Sequence, residues 1–444
     1  MSLAAGSFSP SGFDSFIAMP NGAATAHLYR PKLLTVLAEG YRLSALRRDL
    51  VAGLTVAIVA LPLSMAIAVA SGVAPDRGLY AAIVGGFLVS ALGGSRFQIG
   101  GPAGAFIVLV ATTVARFGVD GMLLAVLLSG LMLTAVGALR LGTLINRVPH
   151  AVTIGFTAGI ACTILASQLR ELGGLRLAGE EPGPVIPKLA ALAQSLPTLN
   201  PAALALGTGV AAAVFALQRW KPAFPGMLVA VAAASILAWA FQFDVATIAS
   251  SFGSLPHGLP MPALPQITRP LLSDILPTAL TFALLGGVES LLSAKVADGM
   301  TARVHRPNME LVAQGVANVA SALFGGISVT GTIARTATNV RAGAASPVSG
   351  MLHAAFLLLF MLVASPLAGF VPLAALAGVL VVVSWNMAEK AEFVRLLRVR
   401  HTAAVLLVTF GLTLLRDLTA GIVVGCALAV AFALMRGGEP VERS

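Results

Sequence analysis

Arg335 and Glu289 are the side chains whose types and settings could do chemistry. Arg335 lies in Thr332-Ile333-Ala334-Arg335-Thr336-Ala337, in a short segment rich in Gly, Ser and Thr, and Glu289 in Gly286-Gly287-Val288-Glu289-Ser290-Leu291-Leu292-Ser293; both fall inside candidate membrane spans. A charge deep in apolar surroundings costs several kcal/mol unless it is paired or wetted, so its default reading is functional. Arg335 therefore reads either as a fixed cation for an anionic ligand or as half of a structural ion pair. Glu289 is the obvious partner. Burial and a neighbouring cation act on a carboxyl group in opposite senses, which suits a proton-coupling group. The plainer alternative is a permanent ion pair with Arg335.

Two unusual segments must position such residues. The first, Gly93-Gly94-Ser95-Arg96-Phe97-Gln98-Ile99-Gly100-Gly101-Pro102-Ala103-Gly104-Ala105-Phe106, reads as an extended stretch turning into a helix with proline in its first turn. The N–H groups from Ala103 to Phe106 would then point along the helix axis, an arrangement that attracts anions through geometry and dipole alone. A glycine-rich close-packing surface between helices fits the same residues equally well. The second segment runs from Gly325-Gly326 to Asn339. Its β-branched residues, alternating with Ser and Thr, predict a short strand up to Thr330. A helix should follow from about Thr332, with Arg335 in its first turn.

The elements around these segments belong to a membrane protein. Of 444 residues, 57% are hydrophobic and 10% charged, with a mean hydropathy of +0.92. Soluble globular proteins carry about 25% charged residues, so a water-facing surface of this size is excluded, as is a β-barrel with its alternating strands. Hydropathy places spans near 50–71, 79–93, 99–115, 120–139, 148–167, 200–217 and 224–242. A second set falls near 275–294, 309–325, 328–341, 349–365, 369–385, 402–415 and 418–435. With the N-terminus inside, 20 of the 28 Lys and Arg residues fall on the inner side and 7 outside, with Arg335 in a span. That bias predicts cytoplasmic termini. The formal charge of +10 is thereby assigned to cytoplasmic loops, and no nucleic-acid partner is expected.

The expected organisation is an N-terminal tail over 1–45, seven spans over 46–242, an outer linker over 243–273, seven more over 274–436 and a cytoplasmic stub over 437–444. Gly93-Gly94 and Gly325-Gly326 each precede the third span of a half. Seven is odd, so the halves enter the membrane with opposite polarity. Matched broken segments in an inverted repeat are a sequence pointer to a transport site. Asp49 and Asp274 read as carboxylates at helix N-termini. His305, His353 and His401 read as boundary residues, and Cys162 and Cys426 as buried small hydrophobes. No Walker A sequence, Ser-His-Asp pattern or metalloprotease pattern is present, and no enzyme activity or resident cofactor is expected.

At these motifs the chain resembles the sulfate permease family of anion transporters, also called SulP or SLC26. The likeness rests on Asp49-Leu50-Val51-Ala52-Gly53-Leu54-Thr55 with Leu61-Pro62, and on Gly78-Leu79-Tyr80 running to Gly94-Ser95. It continues through Gly100-Gly101-Pro102 and Thr332-Ile333-Ala334-Arg335-Thr336-Ala337 with Asn339, Gly343 and Pro347, covering about 45–436 in order. The resemblance implies an all-α polytopic fold shared with nucleobase transporters: 14 transmembrane segments in two inverted repeats of seven. It implies core and gate domains, with segments 3 and 10 built as short strand plus half-helix. By motif it assigns substrate binding to Ala103, Gly104, Ala105, Phe106, Thr332, Ile333, Ala334 and Arg335, with Glu289 and Ser293 as coupling residues.

The implied function is secondary active transport of a small anion (sulfate, bicarbonate or a dicarboxylate) by an elevator movement, in a bacterial inner membrane and as a homodimer. Protons are the first expectation for the coupling ion and sodium the second; passive exchange is the remaining alternative. Two departures from the family stand out. Leu63 follows the Leu-Pro of the first span where many members have Gln, and the sequence stops at Ser444, without the cytoplasmic STAS domain that members usually carry.

Overall fold

The computed structural model describes residues 29–142, 149–179, 182, 185–221, 224–266, 269–416 and 418–435. Residues 1–28 of the tail expected over 1–45, and the stub expected over 437–444, lie outside them, while 29–45 of that tail are described and include helix.

A short helix α1 (Lys32–Ala38) precedes the long α2 (Leu43–Ala70). Helices α3 (Pro75–Tyr80) and α4 (Gly86–Leu92) are joined by a π turn at Ala81–Gly85. Strand β1 (Gly100–Gly101) and a 3₁₀ turn at Gly104–Phe106 lead into α5 (Ile107–Ala138). Next come α6 (His150–Gly173), α7 (Val185–Gln194), α8 (Pro201–Trp220), α9 (Gly226–Ala240) and α10 (Ile248–Phe252). The second half holds α11 (Arg269–Thr301), α12 (Pro307–Leu323), β2 (Thr330–Gly331) and α13 (Ile333–Arg341). It closes with α14 (Val348–Ala368), α15 (Leu373–Met387), α16 (Lys390–Leu396), α17 (Arg400–Leu415) and α18 (Leu418–Met435).

Local chemistry explains many of these boundaries. Pro75, Pro201 and Pro307 each open a helix, where the missing N–H costs nothing. Asn200 caps α8, its side chain accepting from the N–H groups of Ala202 and Ala203. Seven helices among the described residues are long and apolar enough to cross a membrane, and four shorter apolar ones accompany them. The sequence divides the chain more finely because several of its spans are interrupted or short. Past β1 and the 3₁₀ turn, the stretches near 99–115 and 120–139 run on as the single helix α5, broken only by non-helical Gly118 (φ 70°). The one near 328–341 is a strand followed by the nine-residue α13.

Helix α5 packs on α12 and α11, α2 on α14, and α6 on α15 and α17. The α5–α12 contact is very close: a methyl at Gly130 would lie 2.6 Å from the Gly315 carbonyl oxygen, and one at Gly137 2.7 Å from that of Asn308. Small residues allow such approach where lipid supplies no hydrophobic drive between helices.

Three expectations fail here. Cys162 is exposed and Cys426 only partly covered, because in a bilayer an apolar side chain is equally at home facing outward. His353 lies in the second turn of α14 and is completely buried, so it is no boundary residue. Asp49 is completely buried too, but its bonds leave its own helix. It accepts from the Ala345 N–H (2.6 Å), the Ser346 N–H (3.1 Å) and hydroxyl (2.5 Å), and the Tyr41 hydroxyl (2.8 Å). It thus fixes the turn before α14, while Asp274 is exposed near the start of α11. Burial, with Asp49 as acceptor, pushes the Tyr41 phenol above its usual range and keeps it a donor.

Candidate functional site

The two unusual segments meet. β1 and β2 pair antiparallel, Gly100 opposite Gly331 and Gly101 opposite Thr330, and the Thr332 N–H continues the ladder to the Ile99 carbonyl (3.2 Å). So short a sheet is not stable alone; buried side chains secure it. Gln98 Nε2 donates to the Ser290 hydroxyl (2.8 Å) and carbonyl (3.1 Å), and Ser290 donates to Gln314 Oε1 (3.2 Å). Gln314 and Asn318 both donate to the Val329 carbonyl, while Asn318 Oδ1 accepts from the Val329 N–H (2.9 Å). Asn339 Nδ2 holds the Phe97 carbonyl (2.9 Å). The side chains satisfy backbone groups that hydrocarbon cannot.

Beyond β1 the chain differs in detail from the expected helix start. Pro102 lies before the extended N-cap Ala103 instead of inside the first turn, and the helix tightens to a 3₁₀ turn. The Phe106 N–H therefore donates to the Ala103 carbonyl (3.1 Å) and is not among the free donors; such tightening is common at helix ends. The Phe106 ring stacks on Phe282 of α11, centroids 5.6 Å apart. Gly104 faces Met387 at the end of α15 and Ile164 of α6, at 3.2 and 3.6 Å from a methyl placed there.

On the other side, Thr332 is the N-cap of α13 and makes no side-chain cap bond; its hydroxyl oxygen is buried without a partner. Ile333 is partly covered and Ala334 exposed. Arg335 is 1% exposed. Its Nη2 donates to the Ser64 hydroxyl of α2 (3.1 Å), while Nε and Nη1 are buried without partners. A methyl at Gly101 would overlap Arg335 Nη1, so the absent side chain of β1 makes room for the guanidinium. Gly101→Ala should displace Arg335 and lower anion uptake at unchanged expression; uptake equal to that of the parent protein would show that the guanidinium is not confined there.

Glu289 projects from α11 between two residues that grip the other segments, Gly286 accepting from Thr330 Oγ1 (3.2 Å) and Ser290 from Gln98. It is partly covered, and its Oε2 is buried without a partner. Among the described residues no ion pair within 4.0 Å joins Glu289 to Arg335, so the direct salt bridge that the sequence allows is not formed. Ser293 donates to Thr336 Oγ1 (3.1 Å), which also accepts from the Ile99 N–H (3.1 Å). Ser293 thus braces the helix that bears Arg335.

Sequence reasoning missed Glu310. This carboxylate in the first turn of α12 is completely buried and accepts from the Ser95 N–H (2.9 Å), fastening the turn that feeds β1. Its signal was present, since few carboxylates border apolar runs, but its place at a helix start resembled routine capping.

Residues 46–410 match the sulfate permease family. The chain belongs to the sulfate permease family. It is 43% identical over 90% of its length to "Putative sulfate transporter YvdB" of Bacillus subtilis (strain 168), covering 76% of that protein. To the bicarbonate transporter BicA of Picosynechococcus sp. it is 30% identical over 88% of its length, covering 70% of that protein. Among solved structures, the transmembrane domain of a cyanobacterial BicA superposes with a TM-score of 0.77 at 31% identity, over 86% of this chain and 98% of that domain. SLC26A9 shares the fold, with a TM-score of 0.85 at 18% identity over 98% of this chain and 72% of that one. This sulfate permease family member is an integral membrane anion transporter and not an enzyme.

Proposed function

We propose that the chain performs secondary active transport of a small inorganic or organic anion, held between the 3₁₀ turn at Gly104–Phe106 and the start of α13. The observation that carries this reading is the guanidinium of Arg335, buried with Nε and Nη1 unpartnered beside the paired strands. An oxyanion supplies the acceptors those donors lack and balances the charge. The N–H groups of Ala103, Gly104 and Ala105, with the Thr332 hydroxyl, complete the shell.

The substrate class spans sulfate, bicarbonate and dicarboxylates, because backbone dipoles and one guanidinium select charge over shape. Within this reading 14 segments form two inverted repeats of seven. A core holding both strands slides against a gate, the termini are cytoplasmic, and the protein works as a homodimer in a bacterial inner membrane. Glu289 carries the coupling proton: its unpartnered Oε2 and its lack of a direct bond to Arg335 leave the carboxyl group available to titrate.

Proteoliposomes offered labelled sulfate, bicarbonate and fumarate under an inward proton gradient, without sodium, test the reading. Accumulation of one anion above equilibrium is expected. Glu289→Gln should retain binding and lose pH-driven accumulation; full accumulation by that variant would refute proton coupling through Glu289. Uptake that instead stops when sodium is replaced by choline would transfer the coupling role to sodium.

A further inference from the structure

The stretch from Tyr29 to Glu39 lies across one end of the bundle as a strap. The Tyr29 hydroxyl donates to the Ala138 carbonyl (2.9 Å) at the end of α5. The Lys32 N–H donates to the Gly93 carbonyl (2.9 Å), and Lys32 Nζ to the Val304 carbonyl between α11 and α12 (2.8 Å). Arg306 Nη1 donates to the Arg30 carbonyl (2.5 Å) and Thr35 Oγ1 (3.0 Å). The strap therefore rests on the turn at Gly93–Arg96 that leads into β1.

This docking gathers charge of one sign. Arg30, Lys32, Arg96, Arg303 and Arg306 act on one another or on a shared neighbour, Glu39. Arg96 is taken up by Glu39 (2.5 Å), and the nearby Asp298 is taken up by His305 (2.6 Å). Lys32 and Arg306 are held by backbone carbonyls, which accept hydrogen bonds without cancelling charge. Burial, with Arg306 and Arg96 nearby, lowers the pKa of Lys32 below the ordinary lysine range, and burial with Arg30 and Arg96 acts likewise on Arg306. Partly covered cations are screened by salt much less than exposed ones. A multiply charged oxyanion would relieve the repulsion, arginine forks and a lysine point charge being suited to phosphate.

We propose that Arg30, Lys32, Arg303 and Arg306 form a phosphate-binding site that secures the strap to the turn feeding β1. The phosphate is a lipid headgroup or a free ion. The site is separate from the candidate transport site and does not depend on the transport reading.

Thermal unfolding of the purified full chain tests it, with sodium phosphate titrated against sodium chloride at matched ionic strength. A parallel arm compares phosphatidylcholine vesicles with and without phosphatidylglycerol. Phosphate also resembles a substrate, so both arms are repeated in Arg335→Ala. The expected result is a saturable rise in unfolding midpoint that persists in Arg335→Ala and is lost in Arg30→Gln/Arg303→Gln. These two side chains are exposed, and the Arg30 carbonyl that Arg306 uses is retained. A rise in the phosphate arm alone identifies a free ion, and one in the lipid arm identifies a headgroup. A rise that matches chloride, or that survives in the double variant, overturns the proposal.

Discussion

Arg335→Ala should abolish anion uptake in proteoliposomes while leaving a folded protein that inserts and purifies normally. A hydrogen bond to a charged group contributes about 1.5–3 kcal/mol, and Nε and Nη1 offer two such bonds to an anion. Their joint loss corresponds to about 100-fold or more in uptake at low substrate. Stability should suffer less, because the side chain makes one protein hydrogen bond, to Ser64, and its removal also removes a buried charge. Arg335→Lys should rescue little: an ammonium lacks the planar fork. Binding of labelled anion to the detergent-purified variant separates lost binding from lost movement. Wild-type uptake by a folded Arg335→Ala protein would defeat the site assignment.

Asp49→Ala should produce the larger loss of stability. The carboxylate accepts from the Tyr41 hydroxyl, both Ser346 donors and the Ala345 N–H. Removing it strands donors in a buried place at about 1–3 kcal/mol each, so a total loss of about 3–5 kcal/mol is expected even after partial relaxation, the magnitude seen when a buried charged partner is deleted. Asp49→Asn should lose less, since the amide keeps one acceptor oxygen. The check is the unfolding midpoint in detergent, with Asp274→Ala, at an exposed carboxylate, as the near-neutral comparison. Equal midpoints for Asp49→Ala and the parent would contradict the clamp.

These two residues also mark how far the sequence could be read. Arg335 was legible because a guanidinium inside a candidate membrane span has few excuses. The glycine-rich segments were legible for a similar reason, since both carry residues unsuited to a membrane helix. Asp49 was misread because a carboxylate near a helix start is explained locally by the dipole. Apart from Tyr41, its partners lie 296 and 297 positions away at Ala345 and Ser346, and no local pattern announces them. Gln314 and Asn318 on α12, and Gln98 just before β1, were passed over because an amide looks alike in sequence whether it faces water or holds a distant partner. The relation of Glu289 to Arg335 was half legible: the sequence suggested neighbours, but whether they bond directly depends on rotamers and on Ser64, which competes for the guanidinium.

The lopsided bonding around β1 has a mechanical consequence. The paired strands are stitched to α11, α12 and each other by hydrogen bonds that apolar surroundings give nothing to replace, so they resist shear as one stiff block. On the face of Gly104 the neighbours are the Met387 thioether and the Ile164 methyl, contacts without direction or register. A thioether is polarizable and adapts to a changing partner. That face is therefore held by van der Waals contact alone at this point, whereas the strand block is held by hydrogen bonds.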